Sequence, residues 1–493
     1  MPADDPASGP SHDAEAAGAP QARPRSLKRL TIRGSVWTFA GYGITQTIRL
    51  GGNIVLTRLL FREAFGLMVM INIYLQGLAM LTDLGIAPSI VQNPKAEDPE
   101  FLRTAWTLQL LRGLGLWLGA LAFTLPAAWY FNQPALRYFL PVAGLNLLIV
   151  SLDSTNLHLL HRHVNVPLQI QLSVITQVAG LMVSMAGALA WRIYAEVRTL
   201  NAMFVTFSAG GDWRQIQFDD SFYWMGVWAL VVGNLAAMVF HTLLTYQIPG
   251  PRMGFAWRKE YAHQLIHFGK WIFVSSLLTF LANNLDRTVL ARFLDVGMLG
   301  VYGIAYMFAS SIVDLLRSLS NRVLFPVYAE MARERPGALR RHSTRIRLLL
   351  MSVTLPVLWG MVLAGPEFIR IVYQPEYWSA GRLLQMLACG SILSGMAAPV
   401  EVVFLAVGDS FRHFLTMLSR SAMLLLAMGI GGWLNGSDGI IWGIVLAPAL
   451  HYPFLSLLGR KYGVWVPWLD ALGVAASAIM LTAGLWCKHL ILG

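Results

Sequence analysis

Charge is scarce in this chain. Only 13% of its 493 residues are Asp, Glu, Lys or Arg, about half of the roughly 25% usual in a soluble domain. That shortage excludes an ordinary water-facing surface. Cysteine is nearly absent: Cys389 and Cys487 both lie in apolar segments, with no spacing for a disulfide framework or a thiolate metal site. The phosphate-cradling pattern GxxxxGK[ST] does not occur, which argues against ATP hydrolysis by this chain. A compact apolar leader with a small-residue cleavage site is missing too. HLLHRH (158–163) gathers three histidines, but at a loop, and we read neither metal nor cofactor into it.

What the chain has in plenty is apolar sequence: 56% of it is hydrophobic and its mean hydropathy is +0.55. Many apolar runs approach the ~20 residues that cross a bilayer as a helix. A transmembrane β-barrel would instead show short alternating strands. The expected class is therefore all-α, a polytopic membrane protein. Helices are expected near 34–57, 64–91, 104–126, 137–157, 168–191, 222–246, 268–291, 297–325, 346–365, 381–407, 412–433, 439–458 and 469–491. Two pseudo-repeated six-helix lobes, 31–250 and 268–460, would be joined by a cytoplasmic linker, 251–267. A disordered basic tail, 1–30, precedes them and one extra transmembrane helix, 461–493, follows. The net charge of +11 has its explanation in topology rather than in nucleic acid. With the N-terminus inside, 21 Lys and Arg fall on the inner side and 10 on the outer, as the positive-inside rule requires. The expected location is the inner membrane of a bacterium, with a cytoplasmic N-terminus.

The repeat shows as an echo. Shifting the second half back by 234 positions places Val289, Leu290, Arg292, Leu294 and Gly300 on Val55, Leu56, Arg58, Leu60 and Gly66. Duplicated bundles are common in transporters, whose sites lie between the copies. The first two helices of each half also carry polar faces at helical spacing. Tyr42, Gln46, Arg49 and Asn53 share one, and Asn72, Gln76 and Asp83 a second. Ser276, Thr279, Asn283, Asp286 and Arg287 form a third; Ser310, Asp314, Arg317 and Asn321 a fourth; Asn146, Asp153 and Asn156 mark the fourth helix. A charge at membrane depth costs about 2.5–3.5 kcal/mol on insertion scales, so such residues turn inward, toward helix contacts or a shared aqueous cavity. Arginine suits a diphosphate, because its planar fork donates two parallel hydrogen bonds and keeps its charge. The candidate substrate residues are Gln46, Arg49, Asn53, Asn283, Arg287 and Arg317. Asp83, Asp286 and Asp314 either bind a coupling ion or balance an arginine. Arg112 and Arg420 read as snorkelling or structural.

Residues 34–92, GSVWTFAGYGITQTIRLGGNIVLTRLLFREAFGLMVMINIYLQGLAMLTDLGIAPSIVQ, resemble the opening of the bacterial polysaccharide-transporter family. FGKWIFVSSLLTFLANNLDRTVLARFLDVGMLGVYGIAYMFAS (268–310) resembles its seventh and eighth helices, and RVLFPVYAEM (322–331) fits as well. The likeness covers most of 34–460. The family's superfamily also holds the multidrug extruders and lipid II flippases. The resemblance implies two six-helix lobes in a V, and transfer of undecaprenyl-diphosphate-linked oligosaccharide to the periplasmic leaflet for surface polysaccharide synthesis. It also implies membrane lipid and polysaccharide assembly proteins as partners, cavity arginines such as Arg49 and Arg287 for the diphosphate, and no catalytic chemistry. Loop 192–221 is longer than the resemblance leads one to expect. Two rival readings remain open: a cation-coupled small-molecule exporter of the same superfamily, and a polysaccharide polymerase or ligase.

Overall fold

A computed structural model describes residues 24–82, 85–93, 97–162, 166–208, 220–320, 324–334 and 339–492. Most of the expected tail, Asp83, His163, Asn321 and positions 209–219 of the long loop lie outside the described residues.

The first half of the chain forms α1 (Pro24–Leu59), α2 (Arg62–Leu81), α3 (Ile86–Gln92), α4 (Pro99–Ala122), α5 (Thr124–Tyr130), α6 (Leu136–Ala143), α7 (Leu145–Ser151), α8 (Asn156–Arg162), α9 (Val166–Ser208) and α10 (Asp220–Thr245). The second half forms α11 (Lys259–Phe293), α12 (Val296–Leu319), α13 (Phe325–Glu334), α14 (Leu339–Val372), α15 (Ser379–Ala406), α16 (Ser410–Arg460) and α17 (Pro467–Leu492). Several starts are chemically fixed. Asp98 caps α4 by accepting from Glu100 N at 2.9 Å, with Pro99 behind it. Asp295 caps α12 through Gly297 N at 3.0 Å. Both acids satisfy amides that the first helical turn leaves unpaired.

Among the described residues, eight helices are long and apolar enough to cross a membrane: α2, α9, α10, α12, α14, α15, α16 and α17. The pair α4 and α5, bent by 52°, makes a ninth if taken as one span. The polar helices α1 and α11 are not among them. Trp129, Ile371 and Trp433 stand at least four-fifths exposed, an outward apolar surface that lipid would cover.

Two details differ from the sequence reading. The fourth helix is broken at Gly144 and ends at Ser151, with Pro141 just before the break. Asp153 and Asn156 therefore leave the stripe of Asn146. Asp153 accepts from Thr242 Oγ1 at 2.6 Å, and Asn156 Nδ2 donates to Pro251 O at 3.2 Å. The long loop begins as helix, because α9 continues through Ser208. At about 1.5 Å per residue its 43 residues reach well beyond a ~30 Å hydrocarbon core. As expected from the separate segments 412–433 and 439–458, α16 is two arms. Asn435 and Gly436 leave the helical region, and Gly436, at φ +57°, takes a conformation that favours glycine. The arms then lie against each other at Gly431 and Gly439, and at Gly443 and Ala427.

Helices α1 to α10 pack chiefly on one another, as do α11 to α17; α2 against α12, and α11 against α2, α3 and α4, form the seam. At its tightest point two glycines cross reciprocally. A Cβ on Gly66 would lie 1.9 Å from Val296 O, and one on Gly300 would lie 2.2 Å from Arg62 O. Each half supplies one glycine and one carbonyl. Arg62 and Val296, like Gly66 and Gly300, are related by the shift of 234 seen in the sequence.

The last helix is held by polar contacts. Arg347 of α14 pairs with Asp470 of α17, and both are nearly free of solvent. Trp359 Nε1 donates to Ser477 Oγ at 3.0 Å, and Lys488 pairs with Glu367 at 2.6 Å. At the start of α16, Asp409 accepts from Arg412 N at 3.0 Å and pairs with the Arg412 guanidinium. The Tyr462 hydroxyl also donates to it. Tyr462, then the Arg412 amide and guanidinium, hold the Asp409 carboxyl down at about 2. Because the folded value lies below the ordinary one, this support is complete above the ordinary Asp range and is lost as pH falls through about 2. Asp409→Asn is expected to flatten the acid limb of the thermal-stability profile below about pH 4, measured on detergent-solubilised protein.

Candidate functional site

Two polar cavities sit inside the bundle, one in each half. The first, about 570 Å³, lies among α1, α2, α9 and α10, with Gly300, Gly303 and Ile304 of α12 closing one side. The polar groups on its otherwise largely apolar wall are chiefly neutral amides and hydroxyls: Asn53, Asn72, Thr176, Gln177, Ser184 and Asn234. Arg49 also lines it, and among the described residues no carboxylate lines it with Arg49. His241, on the rim, is braced by Asp153 at 3.2 Å. Four residues of the expected α1 stripe face inward in the structure. Tyr42 OH donates to Ser311 O of α12 at 2.8 Å. Asn53 Nδ2 meets the Met307 sulfur at 3.3 Å. The Gln46 Nε2 and Asn53 Oδ1 atoms are buried without a partner. A buried amide atom without a hydrogen bond costs about 1–3 kcal/mol, so these two are poised to take a polar ligand or water.

The second cavity, about 140 Å³, is lined by α11, α12, α15 and both arms of α16. It holds Asn283, Asp286, Asp314 and Arg317 from the sequence reading, together with Glu401, Arg420 and His451. Its charges are largely committed. Asp286 accepts from Tyr302 OH at 2.9 Å, and Asp314 lies 3.9 Å from Arg317. Arg287 is beside this cavity rather than on its wall. Its Nη2 donates to Asn283 O and Asn284 Oδ1, both at 2.8 Å, and its guanidinium lies 4.5 Å over the Tyr306 ring. The structure thus groups Arg49 with Asn53 on one side, with Gln46 next to them on the same helix. It groups Asn283, Asp286, Asp314 and Arg317 on the other, and places Asp83 outside the described residues.

Glu401, His451 and His241 were missed by sequence reasoning. His241 shares a face with Asn234 and Thr245, and Glu401 with Ser394, but those neighbours are uncharged, and His451 has only apolar residues four and seven positions away. Arg420, read as snorkelling or structural, lines the second cavity. Arg112 has the structural role: it donates to the carbonyls of Ala79 and Thr82 at the end of α2, at 2.6 and 2.7 Å, satisfying acceptors that a helix terminus leaves open.

A helical bundle with many membrane-crossing segments and a polar cavity in each half is built as membrane transporters are built. The chain belongs to a family described as polysaccharide biosynthesis protein, whose model matches residues 55–197 and 221–381. It is 22% identical over 465 residues to the lipopolysaccharide biosynthesis protein WzxC of Escherichia coli, covering 90% of this chain and 85% of that one. It is also 22% identical to the succinoglycan biosynthesis transport protein ExoT of Rhizobium meliloti, covering 79% and 72%. In fold it is similar to the lipid II flippase MurJ in an inward closed conformation, with a TM-score of 0.63 at 13% identity, over 93% of this chain and all of that one. A multidrug-resistance MATE family transporter in an inward-facing conformation matches with the same TM-score at 14% identity, over 87% and 95%.

Proposed function

We propose that this protein is a flippase carrying undecaprenyl-diphosphate-linked oligosaccharide across the bacterial inner membrane, from the cytoplasmic to the periplasmic leaflet. The N-terminus is cytoplasmic in this reading, by the charge bias of the loops. The observation that carries the proposal is the first cavity: its polar groups are neutral amides and hydroxyls with one arginine, and among the described residues no carboxylate lines it, in a member of a polysaccharide biosynthesis family. Amides and hydroxyls match sugar hydroxyls as both donors and acceptors. A guanidinium matches phosphate oxygens bidentately. Arg49 holds the diphosphate, Gln46 and Asn53 hold the adjacent sugar, and the prenyl chain stays in lipid. Asn283, Arg287 and Arg317 take the headgroup from the second half as the lobes 31–250 and 268–460 rock about the seam, while Asp286 and Asp314 balance those cations. No covalent bond is made or broken, so the chain has no catalytic residue. Names of the similar proteins support a lipid-linked glycan of exopolysaccharide, capsule or lipopolysaccharide type.

Arg49→Ala, at equal membrane level, is expected to cut surface polysaccharide about tenfold or more, in line with loss of a charge-assisted pair of roughly 1.5–3 kcal/mol. Arg49→Lys restores part of it, since the charge remains and the fork is lost. Deletion of the gene is expected to leave lipid-linked single repeat units on the cytoplasmic face. Accumulation on the outer face would point to a polymerase instead, and a changed drug-susceptibility panel with normal surface glycan would point to a small-molecule exporter.

A further inference from the structure

The second cavity holds a buried histidine whose two ring nitrogens are unequally satisfied. The His451 side chain is 5% exposed, and its Nε2 is buried without a hydrogen bond. The other ring nitrogen, Nδ1, lies 3.2 Å from Ser419 Oγ. Ser419 has a single hydroxyl hydrogen, which it donates to Thr416 O at 3.0 Å. It must therefore accept from His451, so Nδ1 carries the hydrogen and Nε2 is a bare lone pair. That lone pair faces the Glu401 carboxylate at 4.0 Å. The lone pair and the carboxylate are two acceptors facing each other, and neither can donate to the other. One added proton resolves the conflict, because imidazolium donates from both nitrogens, to Ser419 and to Glu401.

We propose that Glu401 and His451 form a proton-binding pair, and that its occupancy changes how α15 packs on the two arms of α16. The proposal rests on the transport reading above and names the coupling ion as a proton. One proton adds to Nε2 from water at the open side of the cavity and leaves from the same nitrogen; no electrons move. Ser419 is on the first arm, His451 on the second between Pro448 and Pro453, and Glu401 on α15, so the proton ties three walls together. The charges facing the pair are Arg420 and His413 from α16, Asp286 from α11, and Asp314 and Arg317 from α12, with the Tyr306 hydroxyl.

The test needs no substrate. Trp129 and Ile371, both 81% exposed and in different halves, are replaced by spin-labelled cysteines in a Cys389→Ala, Cys487→Ala background. The interlabel distance distribution is recorded in lipid nanodiscs at about pH 8 and about pH 5.5, either side of the ordinary histidine range. The parent is expected to shift between the two. Glu401→Gln and His451→Gln abolish the shift, while His241→Gln, in the other cavity, keeps it. A pH-independent parent, or a shift that survives in both Glu401→Gln and His451→Gln, overturns the proposal. Should one variant fail to fold, the other carries the test. Because surface-glycan export is measured separately, failure here leaves the flippase reading standing, and failure there leaves this result interpretable.

Discussion

Alanine at both Gly66 and Gly300 is expected to force the seam apart and to abolish export while the protein still accumulates in the membrane. The added Cβ atoms would stand 1.9 and 2.2 Å from the carbonyl oxygens of Val296 and Arg62, far inside contact distance. Neither obstacle is a side-chain tip that can swing away. Both are helix backbone, so α2 and α12 must separate as rigid bodies. Overpacking of this kind costs about 1–3 kcal/mol per site. Two sites acting on one contact shift the closed and open populations by roughly tens-fold to ten-thousand-fold, since 1.4 kcal/mol is about tenfold. The labels at Trp129 and Ile371 would read this as a longer distance at every pH. Single substitutions should give intermediate shifts of similar size, because the contact is reciprocal. Wild-type distances and full export in the double variant would show that the seam has no part in transport.

The class of the protein was legible because membrane burial is written in composition. An apolar run must be helical to satisfy its own backbone in lipid, so segment positions follow from hydropathy. The hairpin of α16 was legible for a second reason: Asn435 and Gly436 sit between two apolar runs, and only a residue like glycine takes the turn. What composition does not encode is where one helix stops in favour of side-chain bonding. Asp153 looked like a continuation of the Asn146 stripe, yet Thr242 and His241 claim it from α10. The site was half legible. Stripes revealed Arg49, Asn53, Asp286 and Asp314 because their neighbours repeat at helical spacing. Glu401 has only the small hydroxyl of Ser394 at helical spacing and His451 has only apolar neighbours there, and the packing of α15 against α16 brings them together. The sequence also treated all polar faces as one surface, whereas the structure sorts them chemically: amides and a lone guanidinium on one side, paired charges on the other. Arg287 shows why charge alone misleads, since its Nη2 is engaged by Asn283 O and Asn284 Oδ1 of its own helix, while its Nε is buried without a partner.

Loss of one partner from the Arg347–Asp470 pair should be far more damaging than loss of both. The Arg347 and Asp470 side chains are only 1% and 7% exposed. Arg347 Nη1 also donates to Val464 O at 3.2 Å. Asp470→Ala leaves a guanidinium sealed away from water with the Val464 carbonyl and the Tyr452 hydroxyl beside it but no counter-charge. Breaking a buried pair in this way costs about 3–5 kcal/mol, against a total stability of roughly 5–15 kcal/mol for a typical domain. The expected result is a sharp fall in the thermal midpoint and proteolytic release of α17. Arg347→Met combined with Asp470→Leu removes both charges and keeps the volume. Such exchanges are often neutral or stabilising, so the double variant should recover most of the midpoint. The recovery separates electrostatic desolvation from simple loss of packing, because a packing loss would add across the two sites instead of cancelling. Export in the rescued protein then reports on α17 itself. If export returns with stability, the pair serves only to dock the helix. If it does not, the charge at this end of α14 takes part in movement of the second half.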